Sequence, residues 1–213
     1  MNITILNSSE DHPINNPLSS WIEKNLSKHQ IQLVRTENDL VGGDILFLVS
    51  CNEMISYRSL AKFKKSLVLH ASDLPKGRGW SPHIWEILNG AEHVTVSLLE
   101  ADENIDSGDI WRKIKVNIPD TAVWNEINEI IFEAELSLMD FAIENISKVI
   151  PYAQSDTEVS YWPRRKPEDS EIDLSKSIDE QFDLLRVSDD ERYPAFFYKN
   201  NRKFKLTLEP IDE

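Results

Sequence analysis

The first 70 residues hold four short apolar runs, and their spacing leaves few folds open. "NITIL" at 2–6, "IQLV" at 31–34, "GGDILFLVS" at 42–50 and the run 66–70 ending in "LVLH" all have the length of a strand. The run at 42–50 is almost continuously apolar, as strands covered on both faces are. Segment 17–29 carries Leu18, Trp21, Ile22 and Leu26 at helical spacing, with basic residues near its end. A short helix is expected around 56–64. Strands alternating with helices predict an α/β fold, a Rossmann-like, mostly parallel sheet with flanking helices. Ligands of such sheets bind outside the carboxyl ends of the strands, which puts 50–54 and 70–79 on one rim.

Downstream, "SPHIWEILNGA" reads as a helix opened by Ser81, with Pro82 at its first position and Gly90 at its close. "HVTVSLLEA" alternates like a strand, "DENIDSGDI" is a polar loop, and 110–116 is a further strand. The longest helical pattern is 121–149, where Trp124, Ile127, Ile130, Ile131, Ala134, Leu138 and Phe141 recur at three and four residues. Thr121 or Asp120 is the expected cap and Pro151 the stop. Composition then shifts to a polar, proline-bearing stretch. "SIDEQFDLLRVS" reads as a short helix, and "PAFFYKNNRKFKLTLEP" as a hairpin turning at Asn200-Asn201. We divide the chain into a domain over 1–150 and a C-terminal extension over 151–213 made of linker, short helix and β-hairpin.

Charge narrows the partners. Against 37 acidic residues stand 23 basic ones, a formal charge of −14, and such a field repels nucleic acid phosphates. The single cysteine, Cys51, forms no intrachain disulfide and fits a reducing compartment. The sequence has no apolar run of about 18 residues, and "MNITILNSSEDHP" lacks the basic and apolar blocks of a signal peptide. No membrane span and a cytoplasmic location are expected.

Two loops carry candidate chemistry. His70 ends a buried strand, and the next loop holds Ser72, Asp73, Pro75, Gly77 and Gly79, whose glycines allow close backbone approach to a ligand. Lys76 and Arg78 offer cations to an anion. A histidine at a strand end can equally be structural, and two loop cations can simply be solvated. Asp106, in "ENIDSGDI", either shapes a β-turn or orients His70 and favours its charged form. His83 and His93 match no zinc spacing and have no cysteine nearby, so no metal is expected.

The stretch "LHASDLPKGRGWSPHIWEILNGAEHVTVSLLEADENIDSGDI" resembles the active-site region of the 10-formyltetrahydrofolate-dependent formyltransferases. The family pattern is a histidine, a small residue, Ser, an apolar-Pro step and a basic-x-Arg-Gly loop. A helix ending in Asn-Gly, a Val-Thr strand and an Asp-Thr/Ser-Gly-Asp loop follow. His70 aligns with the catalytic histidine of that family and Asp106 with its aspartate; the match covers roughly 40–150. "YWPRRKPEDSEIDLSKSIDEQFDLLRV" is similar to the segment that follows the catalytic part. One position departs: the family places an asparagine two residues before the histidine, where this chain has Val68. Asn52, Ser50, a backbone amide or water is then left to polarise the carbonyl.

Within the family, "LVLHASDLPKGRGWSPHIW" and "RYPAFF" resemble the short enzymes that formylate nucleotide-linked amino sugars for surface glycans, the pseudaminic acid type included. That resemblance implies direct transfer of a formyl group from 10-formyltetrahydrofolate to a sugar amine, with His70, Asp106 and Asn52 catalytic. The pterin would lie against Ser50, Cys51, Asn52 and Met54 and against Ala101, Asp102, Glu103, Asn104 and Ile105. Ser72, Lys76, Arg78, Gly79 and Trp80 would face the sugar nucleotide. Trp85 and Trp111 are assigned to the core, and Arg164 and Arg165 are left outside the site. The aromatic hairpin, with Tyr193, Phe196, Phe197 and Tyr198, offers a surface for a homodimer. Two rival readings are a non-catalytic folate- or nucleotide-binding module and a methionyl-tRNA formyltransferase. The expected charge and the absence of a longer basic C-terminal domain weigh against the second.

Overall fold

The computed structural model describes residues 1–211. Its centre is a six-stranded sheet made of β1 (Asn2–Leu6), β2 (Gln30–Val34), β3 (Gly43–Leu48), β4 (Phe63–His70), β6 (His93–Glu100) and β7 (Ile110–Asn117), with β5 (Arg78–Gly79) lying outside it. The order across the sheet is β2-β1-β3-β4-β6-β7. The first four strands are parallel to one another, while β6 runs antiparallel to both β4 and β7. The strand order reverses beside β1, which leaves a crevice past Leu6 and Leu48, the location where open α/β sheets bind ligands.

Alternation along each strand sorts the side chains. Ile3, Ile5, Ile45, Phe47, Leu67, Leu69, Val94, Val96 and Leu98 face one way, into the main core. That face is covered by α1 (Asn15–Asn25), α3 (Pro82–Leu88) and α4 (Trp124–Asn145). Leu6, Leu46, Leu48 and Val68 face the other way, over α2 (Tyr57–Leu60) and the loops at the carboxyl rim. Val68 and His70 share a parity, so the histidine points to the loop side of the sheet rather than into the helix-covered core.

Several boundaries differ from those expected. The helix foreseen over 56–64 is the single turn α2, because β4 already begins at Phe63 to pair with Gly43. Helix α1 starts and ends earlier than 17–29. Neither Thr121 nor Asp120 caps α4; its first turn is closed by Glu126, whose carboxylate accepts the Val123 N–H at 2.9 Å. Ser81 makes no side-chain capping bond and sits in the left-handed region at φ 46°.

The chain beyond residue 150 returns to the first part at several points. Tyr152 bridges Ile110, and β8 (Tyr161–Trp162) pairs in parallel with β5. After α5 (Phe182–Arg186), Val187 enters the main core, while Arg186 donates to the Pro119 carbonyl at 3.0 Å. The last element is the hairpin of β9 (Ala195–Lys199) and β10 (Arg202–Leu206), whose turn residues Asn200 and Asn201 both have positive φ. Among the described residues no helix is long and apolar enough to cross a membrane.

Candidate active site

His70 is the last residue of β4 and is 7% exposed. Its Nε2 lies 2.8 Å from the Gly77 carbonyl, which can only accept, so Nε2 carries the proton there. Its Nδ1 lies 3.5 Å from Oδ2 of Asp106, a carboxylate that is itself only 10% exposed. Both ring nitrogens therefore face acceptors. Asp106 reaches this position from the 101–109 loop by adopting φ 51°. Gly108 lets that loop close, since a Cβ there would meet the Glu100 carbonyl oxygen at 2.0 Å. The Asp106 carboxylate also accepts the Gly79 N–H at 2.9 Å, and its own carbonyl accepts from Gln154 at 2.8 Å. Loop 71–80, loop 101–109 and residue 154 thus lock one another around a single imidazole–carboxylate pair.

The pair stands on the wall of a cavity of about 460 Å³. One side of it is formed by Leu48, Ser50, Cys51, Asn52, Met54 and Val68 together with Ala101, Asp102, Asn104 and Ile105. Val68 packs with Cys51 and Ala101 against the smaller core, so the position that departs from the family pattern is an apolar patch of this wall. Burial pushes the Cys51 thiol above its ordinary range. Asn52 is exposed at the rim, where its backbone N–H donates to Ser8 Oγ at 2.8 Å. Glu103 points to solvent and is not on the wall.

Of the five residues expected to face the acceptor, only Gly79 and Trp80 line the cavity. Ser72 is fully buried behind the wall. Lys76 is exposed and paired with Glu158 at 2.9 Å, and that carboxylate holds the ammonium above its usual range. Arg78 donates to Gln154 at 2.8 Å and to the Tyr161 hydroxyl at 3.3 Å. The cause is the returning chain: residues 154–161 lie against this loop and take up its cations. Gly79 permits that approach, since a Cβ at its φ of 101° would stand 2.4 Å from the Trp162 carbonyl oxygen.

The opposite side of the cavity was not foreseen. It comprises His83 of α3, Trp124, Asn128 and Glu135 of α4, His12, and a C-terminal group holding Arg164, Arg165, Asp189, Arg192 and Tyr193. Arg165 is buried, donates to Ser170 Oγ at 2.9 Å and lies 5.7 Å over the Tyr193 ring. Trp85, assigned to the core, instead stacks on Trp162 at 5.9 Å and donates to the Pro163 carbonyl, which anchors the chain just before Arg164. Trp111 is buried, as expected. Burial raises the Glu135 carboxyl to about 8. His12 is lowered to about 4, chiefly by burial and then by Arg192. His83 is lowered to about 3, by burial and then by the charges of His12, His70, Arg165 and Arg192. All three are neutral near pH 7. Glu135 had a legible signal, an acid on the apolar stripe of a long helix; Arg165 had none, because its burial depends on the fold of the extension.

Residues 13–143 match the sequence profile described as formyl transferase. The chain is 28% identical to the methionyl-tRNA formyltransferase of Malacoplasma penetrans over 199 residues, 87% of this chain and 60% of that protein. It spans 60% or less of the length of the first curated relatives it matches. Its fold is similar to that of the methionyl-tRNA formyltransferase from Clostridium thermocellum, with a TM-score of 0.81 and 24% identity over 100% of this chain and 94% of the other. It is also similar to a sugar N-formyltransferase from Shewanella sp., with a TM-score of 0.75 and 16% identity over 100% and 99% of the two chains. At these identities the solved structures establish the fold.

Proposed function

This chain belongs to the formyl transferase family, and from that premise we propose that it transfers a formyl group from 10-formyltetrahydrofolate to the amine of a nucleotide-linked amino sugar. The observation that carries the reading is the meeting of His70 and Asp106, 3.5 Å apart, on the wall of one cavity. The largely apolar side at Leu48, Ile55, Val68, Ala101 and Ile105, edged by Ser50 and Asn52, suits a flat aromatic ring with polar edges. When bound, 10-formyltetrahydrofolate supplies an electrophilic formyl carbon.

The chain's own residues then divide the work. Asp106 orients the imidazole and stands ready to accept a proton from an attacking amine, directly or through water. His70 is the N–H donor for negative charge developing on the formyl oxygen; Gly77, which now takes the Nε2 proton, is the acceptor it must exchange for that oxygen. Val68 donates nothing, so we assign the second donor to the Asn52 side chain at the rim. Losing one such donor costs roughly 10²–10³ in rate.

The test is to incubate the protein with 10-formyltetrahydrofolate and a panel of UDP-, dTDP- and GDP-linked amino sugars, following release of tetrahydrofolate. Release is expected only with a matching acceptor, and neither His70→Asn nor Asp106→Asn protein should support it while each keeps its circular dichroism spectrum. A fully active His70→Asn protein overturns the assignment. One observation favours a second acceptor: several of the curated relatives carry the name methionyl-tRNA formyltransferase. The net charge of −14 opposes it. Salt-sensitive binding of initiator tRNA, with its methionine formylated, would decide for tRNA.

A further inference from the structure

The cavity has more polar lining than the His70–Asp106 pair uses. Arg164 and Arg165 come from the segment after β8, and Arg192 from the loop before β9. Arg165 is 7% exposed, and its Nε has no partner among the described residues. A buried guanidinium N–H left unpaired beside a cavity costs free energy unless a ligand satisfies it. Arg164 is exposed at the mouth and forms no ion pair among the described residues. Arg192 is paired with Asp189 at 2.6 Å, and the charges of Asp169 and Asp189 also reach Arg165. Three arginines against the one acid of this group, Asp189, give this part of the lining a local excess of positive charge in a chain of charge −14.

Between this cluster and His70 the lining is uncharged. His83 lies within electrostatic reach of His70 and of Arg165 and Arg192, and its Nδ1 is buried with no partner among the described residues. Glu135, also in the lining, has its Oε2 buried and unpaired among the described residues. Burial keeps both side chains neutral near pH 7. A neutral imidazole and a neutral carboxyl each offer hydrogen bonds without charge, the chemistry that hydroxyl groups meet best.

We propose that Arg164, Arg165 and Arg192 are the phosphate-binding arm of the acceptor site, with His83 and Glu135 as the hydrogen-bonding span between that arm and His70. The acceptor is then a molecule that joins an amine to a diphosphate through a hydroxyl-bearing part, and the basic loop of Lys76 and Arg78 plays no part in holding it. This rests on the acceptor class proposed above and adds the residues that select it.

Titration calorimetry of the full chain with UDP, dTDP, GDP and inorganic pyrophosphate, with tetrahydrofolate in parallel, tests it. At least one diphosphate is expected to bind. Arg164→Ala and Arg192→Ala should each weaken that binding about tenfold, as loss of a charge-assisted contact does, with tetrahydrofolate affinity unchanged. These exposed positions carry the test because Arg165→Ala removes a buried group tied to Ser170. Unchanged diphosphate affinity in both variants overturns the inference, and so does its loss in a Lys76→Ala, Arg78→Ala double variant. A protein that binds tetrahydrofolate but no diphosphate overturns it while leaving formyl transfer standing. Arginine-dependent diphosphate binding without folate binding would uphold the arm and sink the donor assignment.

Discussion

Glu135 stands on the stripe of α4 that also carries Ile131, Leu138 and Met139. Its carboxyl, ordinarily near 4.5, is raised to about 8 because burial disfavours the anion. Between those two values the folded chain holds a proton that the unfolded chain has released. By linkage this contribution to stability is intact below about 4.5 and falls as pH rises through 8, by at most about 1.4 kcal/mol per pH unit. Glu135→Gln keeps the shape and one donor but cannot ionise. Its melting temperature relative to the parent protein should therefore rise steadily from pH 5 to pH 8. Melting curves whose separation does not change with pH would show that Glu135 is ionised in the fold. The half-buried histidines act in the opposite sense at lower pH: His12 and His83 resist protonation, so their share of stability is lost below about 6.5. Subtracting the variant from the parent protein removes that background.

At the scale of elements, the reactive pair is held by loops rather than by the strand alone. Gln154 donates to the carbonyls of Asp106 and Gly108, both at 2.8 Å, and accepts from Arg78. Gln154→Ala leaves these groups to water, each bond being worth roughly 1 kcal/mol. The Gly79 amide, whose acceptor is Asp106, should then exchange with deuterium about tenfold faster, with turnover falling more than the KM for folate rises. Unchanged protection at Gly79 would mean that Asp106 needs no such support. The same loops mark how far the sequence can be read. The six sheet strands, α3, α4 and the hairpin turn announce themselves through local period and turn residues. So does the order of a strand-end histidine and a D-S-G-D loop, since both motifs are contiguous. The fate of Lys76 and Arg78 is set by contacts with residues 154–161, and the antiparallel course of β6 by its pairing with β4, Leu67 opposite Glu100, none of which a local pattern encodes. Arg164 and Arg165 read as a solvated basic run for the same reason: their place on the cavity depends on Trp85 stacking on Trp162.

For the molecule as a whole, the question is whether residues after 150 are an attachment or part of the site. They form a small apolar cluster of their own around Ile172, Leu185 and Ala195. Their other contacts reach back: Val187 is 2% exposed within the main core, Arg186 bonds the carbonyls of Pro119 and Ala122, and β8 completes the pairing of β5. A chain of residues 1–150 therefore uncovers part of the main core, frees the loop around Gly79 and removes one wall of the cavity. Burying a valine side chain contributes about 1.5–3 kcal/mol, and the lost backbone acceptors add roughly 1 kcal/mol each. At roughly 2–4 °C per kcal/mol for a chain of this length, such a fragment should melt on the order of 10 °C below the full chain and bind neither folate nor diphosphate tightly. Thermal unfolding of the two chains side by side measures this. Equal melting temperatures, with folate affinity retained, would make residues 151–213 a separable appendage and would remove the structural basis for a cavity wall built from Arg164, Arg165 and Arg192.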